Sequence, residues 1–255
     1  MSPVALLTGG ARRIGAALAC ELVDLGFDLA LHYNRSADDA VALADTLRAR
    51  PARVELFQAD FVDQAALEAL VPSVVERFGR VDALVNNASL FVYDDLASLG
   101  RESWDQHLTV NFTAPIFLIR DCAAAMDAAG GGLVVNMLDQ KVLNANPDYF
   151  SYTGGKSGLA GMTRALALAL APRARVCAIA PGVTLPTGKL AAADLERAAR
   201  AMPLGITSTP QDVRRALRFV VETPAFNGQI LTLDAGESLL ARTRDVAYDE
   251  GLRRT

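Results

Sequence analysis

The sequence predicts an α/β fold, one domain built on a doubly wound parallel sheet with helices on both faces. Three observations predict it. Short apolar runs alternate with amphipathic segments along the whole chain. The segments between successive runs are long enough for the crossovers that parallel strands require. The runs Val4-Ala5-Leu6-Leu7 and Ala83-Leu84-Val85 contain no polar residue, as expected of strands buried on both faces. Hydrophobic residues make up 51% and charged residues 21% of the 255, a composition that supports a large core and argues against disorder. No linker, repeat or low-complexity stretch interrupts the pattern, so residues 1–255 read as one domain.

Taken in order, Val4–Thr8 reads as a strand, Ile14–Leu25 as a helix, and Asp28–His32 as a strand. Ala37–Arg48 is helical, Arg53–Gln58 a strand, Gln64–Phe78 a helix and Ala83–Asn86 a strand. Arg101–Met126 reads as one long helix with a kink at Pro115. Leu133–Met137 is the next strand, Ser151–Leu170 a helix rich in small residues, and Val176–Ala180 a strand. Gln211–Val221 and Ile230–Leu233 close the series as helix and strand. The least regular stretch, 184–210, is punctuated by Pro and Gly beyond a strand end and reads as a substrate loop.

A net charge of −4 provides no basic face for nucleic acid. Cys20, Cys122 and Cys177 lack CxxC spacing and suit thiols in a reducing compartment. His32 and His107 are far apart, so no metal site is expected. The N-terminus reads as a strand, not a signal peptide, and no apolar run reads as a membrane span. A cytoplasmic enzyme with a small-molecule partner is the expectation.

The first strand runs into Thr8-Gly9-Gly10-Ala11-Arg12-Arg13-Ile14-Gly15 and then a helix. A glycine turn there lets backbone N–H groups approach a pyrophosphate at a helix N-terminus. A glycine pair alone is equally a tight turn; its position after the first strand makes it informative. Where such folds bind NAD, an acid about 20 residues past the glycines takes the ribose hydroxyls. Here Tyr33-Asn34-Arg35-Ser36 ends the second strand without a carboxylate, and Arg35 lies 20 residues after Gly15. Arg35 and Ser36, with Arg13, can take a 2′-phosphate, so the cofactor expected is NADPH. The alternative is a solvated turn arginine. Asp60, followed by Phe61, is placed to accept from an adenine amino group, or else to cap a helix. Asn87 and Ala88 follow the fourth strand at the cleft edge.

Tyr152 and Lys156 are four apart in a helical segment and share a face. An ammonium beside a phenol favours the phenolate, which gives an acid/base working near neutral pH. Asp139 ends the preceding strand, 13 residues before Tyr152. It reads as an active-site acid; alternatively it caps the next segment or pairs with Lys141 or Arg175. Asn111 is a poor helix former in mid-helix, a candidate for a water-bound proton relay or an ordinary polar residue.

Together these residues resemble the short-chain dehydrogenase/reductase family over essentially the whole chain. The resemblance rests on Thr8-Gly9…Gly15, Asp60, Asn86-Asn87-Ala88, Asn111, Tyr152…Lys156, Pro181-Gly182 and the ending Gly228-Gln229-Ile230-Leu231-Thr232-Leu233-Asp234-Ala235-Gly236. It implies a Rossmann fold, an oxidoreductase, and a homotetramer packed through the two central helices. Two departures, Arg13 for the usual Gly and Asp139 for the usual Ser, are shared by pteridine reductases. So are His32-Tyr33-Asn34-Arg35-Ser36 and Asn86-Asn87-Ala88-Ser89-Leu90-Phe91. This similarity implies reduction of a dihydropterin or dihydrofolate, with Asp139 and Tyr152 at the reacting nitrogen. Phe91 would sandwich the ring against the nicotinamide, or else serve as a core or lid aromatic. Ser89 would touch ring or phosphate. Pro181, Gly182 and Thr184 would touch the cofactor, and Tyr149 is a second possible contact. A carbonyl reductase for a keto or sugar substrate, and a catalytically silent binding protein, are the competing readings.

Overall fold

A computed structural model describes residues 2–187, 190–191 and 194–248. The seven strands are β1 Val4–Leu7, β2 Asp28–Tyr33, β3 Val54–Gln58, β4 Ala83–Asn86, β5 Gly132–Met137, β6 Ala174–Pro181 and β7 Ile230–Leu233. They form one sheet in the order β3-β2-β1-β4-β5-β6-β7, every pair parallel. The order reverses between β1 and β4, where Leu7 pairs with Leu31 on one side and Val85 on the other. A ligand crevice is expected beyond the strand ends at such a point.

The helices are α1 Arg13–Asp24, α2 Ala37–Arg48, α3 Gln64–Phe78, α4 Arg101–Leu108, α5 Ala114–Ala129, α6 Phe150–Leu170, α7 Leu195–Arg200 and α8 Pro210–Glu222. Side chains alternate along each strand, so each face of the sheet carries its own core. Ala5 and Leu7 meet Leu18 and Leu22 of α1 and Leu217 of α8. Val4 and Leu6 belong to the opposite core, with Leu70 and Val74 of α3 and Leu118 and Ile119 of α5. That is why the β1 sequence shows no polar alternation.

Helix ends follow local chemistry. Asp63 caps α3 by accepting the N–H groups of Ala65 and Ala66. Thr209 and Asp212 form a reciprocal capping box at α8. At the other end of α8, the Arg175 guanidinium donates to the carbonyls of Val220, Thr223 and Phe226. Arg175 is therefore a helix C-cap and not a partner of Asp139.

The long helix breaks earlier than expected. A π-turn over Thr109–Thr113 separates α4 from α5, and Pro115 lies harmlessly in the first turn of α5. Taken together, Arg101–Ala129 is long and apolar enough by length and composition to cross a bilayer, contrary to the sequence expectation. Its apolar side packs on the sheet through Leu118, Ile119, Cys122 and Met126. The small residues of α6 face the π-turn: a Cβ on Gly155 would lie 3.0 Å from the Asn111 Cβ. Within the expected loop, residues 188–189 and 192–193 lie outside the described residues. Around them, α7 and Leu190 pack against Val246 and Ala247 of the C-terminal segment.

Candidate active site

A cleft of about 930 Å³ opens along the carboxyl ends of the strands. One end is formed by the glycine turn. Gly9 sits at φ +60°, and a Cβ there would come within 2.8 Å of the Ala88 Cα. The backbone approach therefore requires glycine. Arg13 also lies in the left-handed region, at φ +57°, where the family usually places glycine. Its guanidinium donates to the Pro186 carbonyl at 2.8 Å, tying the turn to the loop after β6.

His32 props this turn from below. Its Nδ1 accepts the Gly9 N–H at 3.1 Å, and its Nε2 donates to the Ala59 carbonyl at 3.0 Å. The ring stacks on Phe61 at 4.5 Å. Burial pushes the imidazole down to about 4, which keeps it neutral in the tautomer these bonds need. Sequence reasoning singled out the run containing His32 but missed this support.

Ile14, Gly15, Tyr33, Asn34, Arg35, Ser36, Asp60 and Phe61 all line this end of the cleft. Arg35 stands 88% exposed, 3.9 Å from the Asp60 carboxylate. Asp60 also accepts the Val62 N–H, but the cap of α3 is Asp63. Thr8 is expected at the cleft and instead lies behind it. Its hydroxyl accepts the N–H groups of Asn87 and Ala88 at 2.9 and 3.0 Å. Asn87 lines the cleft while its amide donates back to the carbonyls of Thr8 and Gly9. These bonds stitch β4 to the glycine turn.

At the other end, Tyr152 donates its hydroxyl hydrogen to Asp139 Oδ2 at 2.9 Å. Asp139 Oδ1 accepts the Lys141 N–H at 2.9 Å and so also caps a short 3-10 turn, Gln140–Val142. Asp139 thus caps the next segment, as one expected reading had it, and also touches Tyr152. Lys156 donates to the Met137 carbonyl at 2.6 Å, with its ammonium 5.8 Å from the Tyr152 ring centre.

These contacts reverse one expectation. Burial and the adjoining Asp139 hold the Tyr152 phenol well above 10, so it keeps its proton. Burial also pushes Asp139 up, against the pull of Lys141 and Tyr152. Lys156 is pushed down to about 8 by burial, partly opposed by Asp139. Burial and Asp139 act on the phenol in the direction opposite to that expected of Lys156.

Asn111 is likewise expected at the cleft and lies fully buried behind it. Its Oδ1 accepts from the Ser89 hydroxyl at 3.0 Å and the Leu90 N–H at 2.9 Å, and its amide donates to the Leu90 carbonyl. The π-turn aims it at this loop. Ser89 and Phe91 extend from the loop into the cleft wall. Phe91 is 38% exposed, stacked on Tyr149 at 4.1 Å and edge-on to Tyr152 at 4.7 Å. Pro181, Gly182, Thr184, Ala88 and Tyr149 complete the lining expected from sequence.

The sequence reading missed the C-terminal contribution. Asp245, Val246 and Ala247 line the Tyr152 end, as do Lys141 and Glu237. Lys141 pairs with Asp245 at 3.0 Å, and Arg244 grips Asp148 at 2.7 Å. The one available signal was an acid, Glu237, directly after the glycine that follows the last strand.

A glycine cradle, an exposed arginine beside it and a Tyr–Asp–Lys cluster whose tyrosine and lysine are buried define an oxidoreductase cleft. The short chain dehydrogenase family matches residues 3–198, and this chain belongs to that family. A crystal structure of FolM, alternative dihydrofolate reductase 1, from Brucella suis in complex with NADP is similar at 40% identity. Its TM-score is 0.89, with 95% of this chain and 98% of that one covered. An uncharacterized oxidoreductase of Thermotoga maritima is 32% identical over 70% of each chain. The 3-oxoacyl-[acyl-carrier-protein] reductase FabG of Staphylococcus aureus is 28% identical over 92% of this chain and 98% of its own.

Proposed function

We propose that this oxidoreductase reduces a dihydropterin or dihydrofolate to the tetrahydro form with NADPH. The observation that carries the reading is the Tyr152–Asp139 hydrogen bond of 2.9 Å. A ketone substrate calls for a hydroxyl donor at its oxygen. Saturating a C=N bond calls for a proton at nitrogen, and a phenol that keeps its proton, backed by a carboxyl whose affinity for a proton burial raises, suits it. The similarity to FolM supports the same chemistry.

The cofactor is NADPH, and it supplies the hydride. The close backbone approach at Gly9 suits its pyrophosphate, and Arg35 and Ser36 suit its 2′-phosphate. Tyr152 gives its proton to the ring nitrogen next to the carbon that receives hydride. Asp139 then relays a proton from solvent water to the phenolate. Lys156, anchored on Met137, holds positive charge beneath this exchange. Phe91 offers an apolar face to a flat heterocycle. Ser89 is held for a ring or phosphate contact by Asn111, a positioning residue.

The protein is taken to act in the cytoplasm, without nucleic-acid or membrane partners, as a homotetramer. Exposed Phe117 of α5 and Met162 and Leu168 of α6 suit subunit packing.

The test follows NADPH oxidation with 7,8-dihydromonapterin, 7,8-dihydrobiopterin and dihydrofolate beside a panel of simple ketones. Turnover of a dihydropterin that Asp139→Ala and Tyr152→Phe both lose supports the proposal. Turnover of ketones alone sinks it. That outcome would favour the carbonyl-reductase reading, to which the 28% identity with FabG lends its weight.

A further inference from the structure

Beyond β7 the chain turns back over the Tyr152 end of the cleft. Gly236 takes the turn at φ +88°, and a single 3-10 turn, Glu237–Leu239, follows. Glu237 is only 3% exposed, yet it lies on the cleft wall. The backbone N–H of Val183 nearby favours its charged form. Its Oε2 has no hydrogen-bond partner among the described residues. That oxygen sits beside Gly182, where a Cβ would approach it to 3.1 Å.

The groups around it do not supply the missing donor. Asp139 approaches from the β5 end and Asp245 from the C-terminal segment; both are acids. Lys141, on the adjoining 3-10 turn, is committed to Asp245 at 3.0 Å. Arg242 acts on Glu237 through its charge and donates to the Ala201 carbonyl at 2.6 Å. Asp234 is occupied by the N–H groups of Gly236 and Ser238. Burial, then Asp139 and Asp245, push Glu237 up to about 7, with Arg242 and Val183 opposing. A buried oxygen without a partner is costly, and proteins keep few of them. A carboxylate on a ligand-cleft wall with such an oxygen gains most when a donor arrives.

We propose that Glu237 is a recognition residue whose carboxylate receives a planar N–H, of amide or amidine type, from a ring bound at the Tyr152 end. The inference rests on the function proposed above. Under that reading two bound groups carry such an N–H: the nicotinamide carboxamide and the aminopyrimidine edge of a pterin. A carboxylate accepts from either, and its charge makes the bond strong.

The test is Glu237→Gln. The amide replaces one acceptor oxygen of the carboxylate by an NH2, so donor meets donor, and it removes the charge. NADPH affinity is measured alone by fluorescence, and 7,8-dihydrobiopterin KM and kcat are measured with NADPH saturating. We expect one arm to weaken on the order of ten- to a hundredfold, with kcat little changed. Weaker NADPH binding assigns the carboxamide; a raised KM alone assigns the aminopyrimidine edge. The wild-type arm that depends on Glu237 should also weaken from about pH 8 to about pH 6 as the carboxylate protonates, and the variant should lose that slope.

If a folded variant leaves both arms and both pH profiles unchanged, the inference is overturned. If wild-type protein does not turn over the pterin, the proposed function falls. The NADPH arm then decides this inference alone. Should Glu237→Gln not fold, Glu237→Asp, which withdraws the oxygens by one methylene, is read in the same two arms.

Discussion

At the glycine-turn end of the cleft the charged group stands in water: Arg35 is 88% exposed and only loosely opposed by Asp60 at 3.9 Å. At the Tyr152 end the ionisable groups Tyr152, Lys156 and Glu237 are buried. The same residue chemistry therefore behaves differently at the two ends. An exposed guanidinium keeps its charge and attracts anions through a field that salt screens. Burial raises the proton affinity of the carboxyls and the phenol, because desolvation penalises the charged form more than the neighbours reward it. The first end is suited to binding a phosphate; the second is suited to holding and passing a proton.

The sharpest way to break this contrast is Tyr152→Phe. It should cut kcat on the order of a thousandfold while NADPH binding is retained. A fluorescence titration beside the turnover assay checks both halves. Lost NADPH binding would mean the two ends are not separable.

Proton linkage probes the buried end without any substrate. Glu237 ionises near 4.5 when unfolded and near 7 when folded. Its protonated form is favoured by the fold, so its contribution is full below about 4.5 and is lost as pH rises toward 7. The difference is worth up to about 3 kcal/mol. His32 runs the opposite way: depressed to about 4, it contributes above 6.5 and loses that as pH falls. The windows overlap, so the wild-type slope mixes them. Urea melts of wild type and Glu237→Gln across this range isolate the Glu237 part. The wild type should lose stability relative to the variant as pH rises, and parallel curves would contradict the buried-acid account.

Arg35→Ala should raise the NADPH KM about tenfold, leave kcat unchanged and narrow the preference over NADH. The wild-type preference should also shrink at high salt. Steady-state kinetics with both cofactors reads each effect. The smallest effect is expected behind the wall. Asn111→Ala leaves the half-buried backbone N–H and carbonyl of Leu90 without their side-chain partner. It should cost about 1–2 kcal/mol in a thermal or urea melt. A larger loss of kcat than of stability would make Asn111 more than a positioning residue.

The difference between the two ends also explains what could be read without coordinates. The glycine turn, the strand-end arginine and the Tyr152/Lys156 spacing are local patterns, each set within one βα unit or one helix. The Tyr152 end is assembled from distant parts of the chain. Asp139 touches Tyr152 across 13 residues, Arg244 grips Asp148 across 96, and Asn111 serves the loop at Ser89 from across 22. No periodicity encodes such pairings. The break in the long helix was misplaced for a related reason. Proline is a local signal, but the π-turn that aims Asn111 lies where the glycines of α6 allow close packing.

By itself, then, the sequence determined the alternation of strands and helices, the two-faced burial of β1 and β4, and the glycine cradle, because those depend on side-chain period and backbone freedom within short segments. Only the tertiary structure decided which groups lose their water. Packing of that kind holds the Tyr152 phenol above its ordinary value, sets Thr8 and Asn111 behind the wall, and leaves one buried oxygen of Glu237, on the cleft wall, without a partner among the described residues. Desolvation is a property of everything packed around a group, and most of what surrounds these groups comes from elsewhere in the chain.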